Sequence, residues 1–198
     1  MSPVSSSYPL ADGNGSGCWN WFLPDHQTRG VGEPGTPAAM TRDVMRRFAV
    51  DSRRVWLAGI SAGAAMATTL AATDPELYAA FAPIAGCAYR TCSDANGSVP
   101  ATPSSTVNHD AVQGTPPGDP CVGNSRLPCL GGVLGLRSYP YTVLRYDGAD
   151  GRSVVEALVI HGANHAYPGG DPKGTFVDPV GPDLAHAMYD FFAAHPRS

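Results

Sequence analysis

The stretch RRVWLAGISAGAAMA, residues 53–67, constrains this chain more than any other. Val55-Trp56-Leu57-Ala58 reads as a short buried strand. Ala62 to about Thr73 is Ala-rich with Met66 and Leu70 four apart, the pattern of a helix packed closely against a neighbour. Pro75 marks its end, because proline disfavours helix in the residue before it. Between strand and helix stands Gly59-Ile60-Ser61-Ala62-Gly63, a G-x-S-x-G pattern. A turn that sharp holds its serine in a strained conformation and brings neighbouring backbone close, so the flanking positions tolerate little beyond hydrogen. It lifts Oγ above the sheet edge and points the following amide, that of Ala62, to where an oxyanion would form. The helix N-terminus adds partial positive charge there. Ser61 is thus the candidate nucleophile and Ala62 the candidate oxyanion-hole donor. The plain structural alternative is a Gly-Ser turn without chemistry.

The remaining chain supplies a sheet and its cover. From Pro37 the pattern turns helical, with Met40, Val44 and Phe48 at i, i+4, i+8 and Arg42, Arg46 and Arg47 on other faces. Residues 81–86, FAPIAG, form a second candidate strand. YTVLRY and SVVEALVIHG flank DGADG as in a hairpin, and the second run is apolar enough for a central strand. Gly181-Pro182-Asp183 precedes Leu184, Met188, Phe191 and Phe192, a terminal amphipathic helix. Strand, helix, strand, hairpin and helix argue for an α/β class with helices covering a mostly parallel sheet. The length of 198 residues suits a single domain spanning residues 1–198. Within it, about 93–138 is a long irregular Pro/Gly-rich segment of the kind uncommon in compact domains.

Composition excludes several classes. A net charge of -4, with the basic residues scattered, gives no reason to expect a nucleic-acid partner. No apolar run approaches the ~18 residues of a membrane span. No signal peptide is visible at the N-terminus, which has no Lys or Arg before Arg29 and no apolar core. Cys18, Cys87, Cys92, Cys121 and Cys129 match neither a zinc site nor a Cys-x-x-Cys pair. No metal or other cofactor is expected. Five thiols in Gly/Pro-rich loops fit an oxidising, extracellular compartment, with at least partial disulfide formation. Five choices of the odd thiol times three connectivities leave fifteen patterns open.

A serine needs a base, which in this arrangement follows late in the chain. VIHGANHAYPGG, residues 159–170, ends a strong strand and enters a loop. His161 sits at the strand's end, where a histidine is often packed or hydrogen-bonded. His165 lies in the loop itself, free to reach across the sheet's carboxyl edge, and is the preferred base. His26, His109, His186 and His195 fall in polar loops or on the terminal helix.

GCWNWFLPDHQTRGVGEP, RRVWLAGISAGAAMA, DPELYAAFAPIAGCAY, DGRSVVEALVIHGANHAYPGGDPKGTFVDPVGPD and FFAAHPR together resemble the poly(3-hydroxybutyrate) depolymerase family of esterases. These are α/β-hydrolases related to feruloyl and acetylxylan esterases. The resemblance covers residues 18 to about 92 and 140 to 198. It implies Ser61 as nucleophile and His165, from the family's GHAW-like motif, as base. Asn164 and Tyr167 replace the usual glycine and tryptophan of that motif, a change to the pocket wall.

The resemblance also implies elements this sequence does not show. The family's LHG-like segment supplies the second oxyanion-hole amide and the first strands, so the sheet is expected to be incomplete on its N-terminal side. The family's aspartate position is occupied by Ser104 and Ser105 in TPSSTVNHD. Among Asp74, Asp94, Asp110, Asp119, Asp147 and Asp150, Asp110 lies nearest that position; the others look like helix-end or turn residues. The implied function is a secreted serine carboxylesterase acting on a polyester, plant-wall or short-chain ester through an acyl-enzyme. The alternatives are a truncated or decayed relative with little or no activity, or a polymer-binding module using Trp19, Trp21 and Tyr167. Self-association through an exposed sheet edge is a further expectation.

Overall fold

The computed structural model of the chain describes residues 18–86, 89 and 139–197, together with the backbone of 105–108. Along the chain run α1 (Gly35–Arg47), β1 (Trp56–Ile60), α2 (Ala62–Thr73), β2 (Ala80–Ile84), β3 (Ser105–Asn108), β4 (Tyr141–Asp147), β5 (Ser153–Ile160), β6 (Tyr167–Pro168), β7 (Val177–Asp178) and α3 (Leu184–Ala194). The strand after Arg54, the Ala-rich helix, the second strand, the hairpin and the terminal helix all form where the sequence places them. The irregular segment expected at 93–138 lies outside the described residues apart from β3.

Among the described residues, five strands form one sheet in the order β1-β2-β3-β5-β4, and β6 and β7 make a separate two-stranded ladder. The mostly parallel sheet expected from the sequence is not what the described strands form. β1 and β2 pair parallel, whereas β2–β3, β3–β5 and β4–β5 are antiparallel. The last pairing has a simple cause. β4 and β5 are joined by a tight turn in which the Gly148 amide bonds the Arg152 carbonyl at 2.8 Å. A parallel crossover would need about a dozen residues. Because β3 runs against both its neighbours, β1, β2 and β5 nevertheless share one direction. The register Ile60↔Ile84, Ile84↔Ser105 and Ser105↔Leu158 puts the carboxyl ends of all three at the same edge.

Side chains alternate across β1 and join two cores, one on each face. Trp56 and Ile60 pack against a cluster of Ala80, Ala82, Ile84, Leu184, Met188, Phe191 and Phe192. Val55 and Leu57 pack against Ala38, Met66, Leu70, Leu77 and Tyr78. The terminal helix buries the four apolar positions its periodicity marks, and the Asp183 carboxylate caps it by accepting from the His186 amide at 3.0 Å.

α1 departs from its pattern. The helix is present, but Met40, Val44 and Phe48 remain 40%, 49% and 62% exposed, while Ala38 is buried. The face that turns inward carries Arg42, whose guanidinium donates to Asp74 at 2.6 Å. Asp74 is 2% exposed. A carboxylate that deeply buried needs its partner more than the half-exposed apolar stripe needs cover.

Cys18 is exposed; Cys87, Cys92, Cys121 and Cys129 lie outside the described residues, and with them the disulfide expectation.

Candidate active site

Ser61 adopts φ 56° and ψ -122° at the N-terminus of α2, one of the few non-glycine residues with positive φ among those described. Such a conformation costs about 1–3 kcal/mol and persists only where its surroundings fix it. Here three backbone hydrogen bonds do so. The Ser61 amide donates to the Ile84 carbonyl of β2 at 3.0 Å, and the Ser61 carbonyl accepts from Ala64 and Ala65 at 3.0 and 3.2 Å. The serine itself is exposed at the sheet edge.

Glycine is needed at one flank of the turn and not at the other. A Cβ on Gly59 would sit 2.2 Å from the Gly63 carbonyl oxygen and 2.9 Å from the Ala64 amide nitrogen. A Cβ on Gly63 would meet nothing within 4 Å, so the crowding expected at both glycines holds only at the first. The second close approach falls instead at Gly86, where a Cβ would lie 2.3 Å from the Ala64 Cβ and 3.2 Å from the Ser61 carbonyl oxygen. Gly86 was not singled out from sequence, although a glycine just after a strand was a usable signal.

Ala62 opens α2, so its amide has no acceptor within the helix. Among the described residues no backbone carbonyl accepts from it. It stands at the positive end of the helix dipole, beside Ser61.

The histidines leave the sheet at this same edge. His161 follows β5 directly; its amide bonds the Pro140 carbonyl, and its Nε2 lies 2.9 Å from the Thr142 hydroxyl of β4. That tie holds the ring over the hairpin, away from β1. His165 is exposed four residues further on. β5 is three strands from β1, roughly 14 Å at the usual strand spacing, and the segment 161–165 can extend to about 17 Å. The chain also turns back in that direction: Tyr167 packs against the cluster that contains Ile84 and Leu184. Burial pushes the Tyr167 phenol above its ordinary value, with Asp183 acting in the same sense. Ser61 and His165 thus follow strands that end at the same edge, and no hydrogen bond joins their side chains. Catalytic hydrogen bonds commonly tighten only when substrate fills the site.

Among the described residues no carboxylate bonds the His165 ring. Asp74 is held by Arg42 at the far end of α2. Asp150 accepts from the Arg152 amide in the hairpin turn, and Asp147 ends β4 at the opposite edge. Asp171 and Asp178 accept from the amides of Lys173 and Val180. Asp110 lies outside the described residues. The three aromatics weighed as a polymer platform do not share a surface: Trp19 packs on the α1–α2 side of the sheet and Tyr167 on the α3 side. Among the described residues, no group of three His, Cys, Asp or Glu could hold a metal ion.

Residues 8–103 match the sequence model of a family described as esterase PHB depolymerase. The chain is 43% identical over 77 residues to poly(3-hydroxyalkanoate) depolymerase C of Paucimonas lemoignei, covering 39% of this chain and 19% of that protein. It is 32% identical over 104 residues to feruloyl esterase B of Neurospora crassa, covering 52% of this chain and 35% of the relative. It is 34% identical over 95 residues to acetylxylan esterase A of Aspergillus ficuum, covering 46% and 31%. The chain therefore spans between about a fifth and about a third of the length of these relatives. Ser61 lies inside the family match and His165 beyond it. Over residues 8–103, just under half of its length, the chain is similar to the esterase PHB depolymerase family.

Proposed function

We propose that this chain is a serine carboxylesterase in which Ser61 is the nucleophile, His165 the general base and the Ala62 amide an oxyanion donor. The observation that carries the reading is the strained backbone of Ser61, held at a strand–helix junction with its side chain exposed. Strain of this kind has a use when it presents a nucleophile.

In the reaction, Ser61 Oγ attacks the ester carbonyl carbon while His165 takes the hydroxyl proton. The carbonyl π electrons move to oxygen, and the resulting oxyanion is stabilised by the Ala62 amide and the α2 N-terminus. Collapse breaks the carbon–alkoxy bond, and His165 returns its proton to the departing alcohol. Water, deprotonated by His165, then attacks the acyl-serine and releases the carboxylic acid with Ser61 restored. The sequence requires no metal or redox cofactor.

The substrate is proposed as a polyester or a plant-wall or short-chain ester, by analogy with the named activities of the relatives. An extracellular location goes with such substrates; among the described residues, no helix is long and apolar enough to cross a membrane. One observation favours a second reading, in which turnover is feeble: no described carboxylate orients His165. Loss of that group typically costs about 10⁴ in turnover. A second copy pairing along β1, at the edge of the sheet, is the proposed partner contact.

Release of p-nitrophenol from p-nitrophenyl acetate tests the reading. Turnover that vanishes in Ser61→Ala supports it; turnover that Ser61→Ala retains rejects it.

A further inference from the structure

Phe176 has the most exposed large apolar side chain described, 80% accessible, and its backbone has φ 55°. Each fact needs explaining. A bulky residue at positive φ is a genuine outlier, because its Cβ crowds the backbone where glycine would not. Elsewhere such crowding is compensated by packing, but this ring is in solvent and packs against no core. Neither local conformation nor burial accounts for a phenylalanine here.

Its position does. The Phe176 carbonyl accepts from the Tyr167 amide at 2.7 Å, and the β6–β7 ladder continues through Tyr167↔Val177 and Pro168↔Asp178. The segment carrying Phe176 is thereby pinned beside the loop that carries His165, two residues before Tyr167. Gly169 amide to Asp178 carbonyl, at 2.8 Å, fixes the other end. Val180, 43% exposed, adds a second apolar side chain to the same segment. The backbone that carries the ring is therefore fixed against Tyr167, two residues along the chain from the candidate base, with the ring itself in solvent.

We propose that Phe176 is a specificity-determining residue, contacting the apolar acyl part of an ester bound at Ser61. This inference rests on the esterase reading and adds the residue that selects among esters. A long apolar acyl chain that covers the ring gains affinity by leaving water, whereas an acetyl group has little apolar surface to bury there. The ring takes no part in bond making, so its removal leaves the chemical step untouched.

The experiment compares p-nitrophenyl acetate with p-nitrophenyl octanoate in the unsubstituted chain, Phe176→Gly, Phe176→Tyr and Ser61→Ala, with thermal unfolding of each. Phe176→Gly relieves the backbone and should unfold at the same or a higher temperature. It should raise KM for the octanoate about tenfold relative to the acetate, with kcat for acetate unchanged. Phe176→Tyr should restore the octanoate preference. An unchanged preference in Phe176→Gly, or a lowered unfolding temperature, overturns the inference while Ser61-dependent turnover stands. Ester turnover that is absent from the unsubstituted chain, or that survives Ser61→Ala, overturns the esterase reading and this inference with it.

Discussion

The amide of Ser61 donates to the carbonyl of Ile84 across the parallel pair β1–β2, at 3.0 Å. That bond continues the ladder one residue past the end of β1, so the strained serine is clamped by the sheet as well as by α2. It explains why a costly conformation survives on an exposed turn. It also ties the candidate nucleophile to the end of a strand rather than to a free loop.

Gly59 and Gly63 should respond oppositely to the same substitution. Gly59→Ala drives a Cβ into the Gly63 carbonyl, and we expect a loss of roughly 3 kcal/mol or more, or failure to fold. Gly63→Ala enters open space on a helix and should be neutral or stabilising by up to about 1 kcal/mol. Denaturant unfolding of both variants checks the contrast; equal effects would mean the turn is packed differently.

His165→Ala should abolish turnover of short p-nitrophenyl esters, and His161→Ala should keep most of it. The second variant loses only the contact with Thr142, a stability cost of about 1 kcal/mol. Steady-state kinetics and thermal unfolding measured together separate the two effects. The opposite ranking would make His161 the base.

Alkaline pH should weaken the α1–α2 side of the molecule. Burial pushes the Tyr78 phenol above its ordinary value of 10.0, against a hydrogen bond with Thr41 that lowers it. A phenol harder to ionise when folded contributes stability that is intact below the unfolded pKa and disappears as pH rises through the folded one. Unfolding free energy should therefore fall as pH rises past about 10, the unfolded value, and less steeply in Tyr78→Phe. Tyr167 is shifted in the same direction, so the variant removes only part of the slope.

Pairing through β1 should be concentration-dependent and sensitive to edge charge. β1 reads WLAGI, with no proline or lysine to discourage a partner. Light scattering across a dilution series should show association, and Ala58→Lys should reduce it. A chain monomeric at every concentration would remove the proposed contact.

Much of the framework was legible because its signals were local. The Gly59–Gly63 pattern between an apolar run and an Ala-rich run located Ser61, and the four-residue spacing from Leu184 to Met188 located the core face of α3. Strand direction was less legible, since the run of β5 reads the same whether its neighbours are parallel or antiparallel. The outward face of α1 was missed because periodicity counts apolar positions and takes no account of the buried Asp74 that draws Arg42 inward. Gly86 and Phe176 escaped for a related reason. One matters through contact with a helix distant in sequence, the other through a backbone angle that no composition reveals.

The central claim is that Ser61 is a reactive nucleophile. The most direct measurement is intact and peptide mass spectrometry after treatment with a fluorophosphonate probe. One adduct should form on the unsubstituted chain, located on the peptide containing Ser61, and none on Ser61→Ala. An adduct that persists in Ser61→Ala, or a chain that takes up no probe while folded, would contradict it.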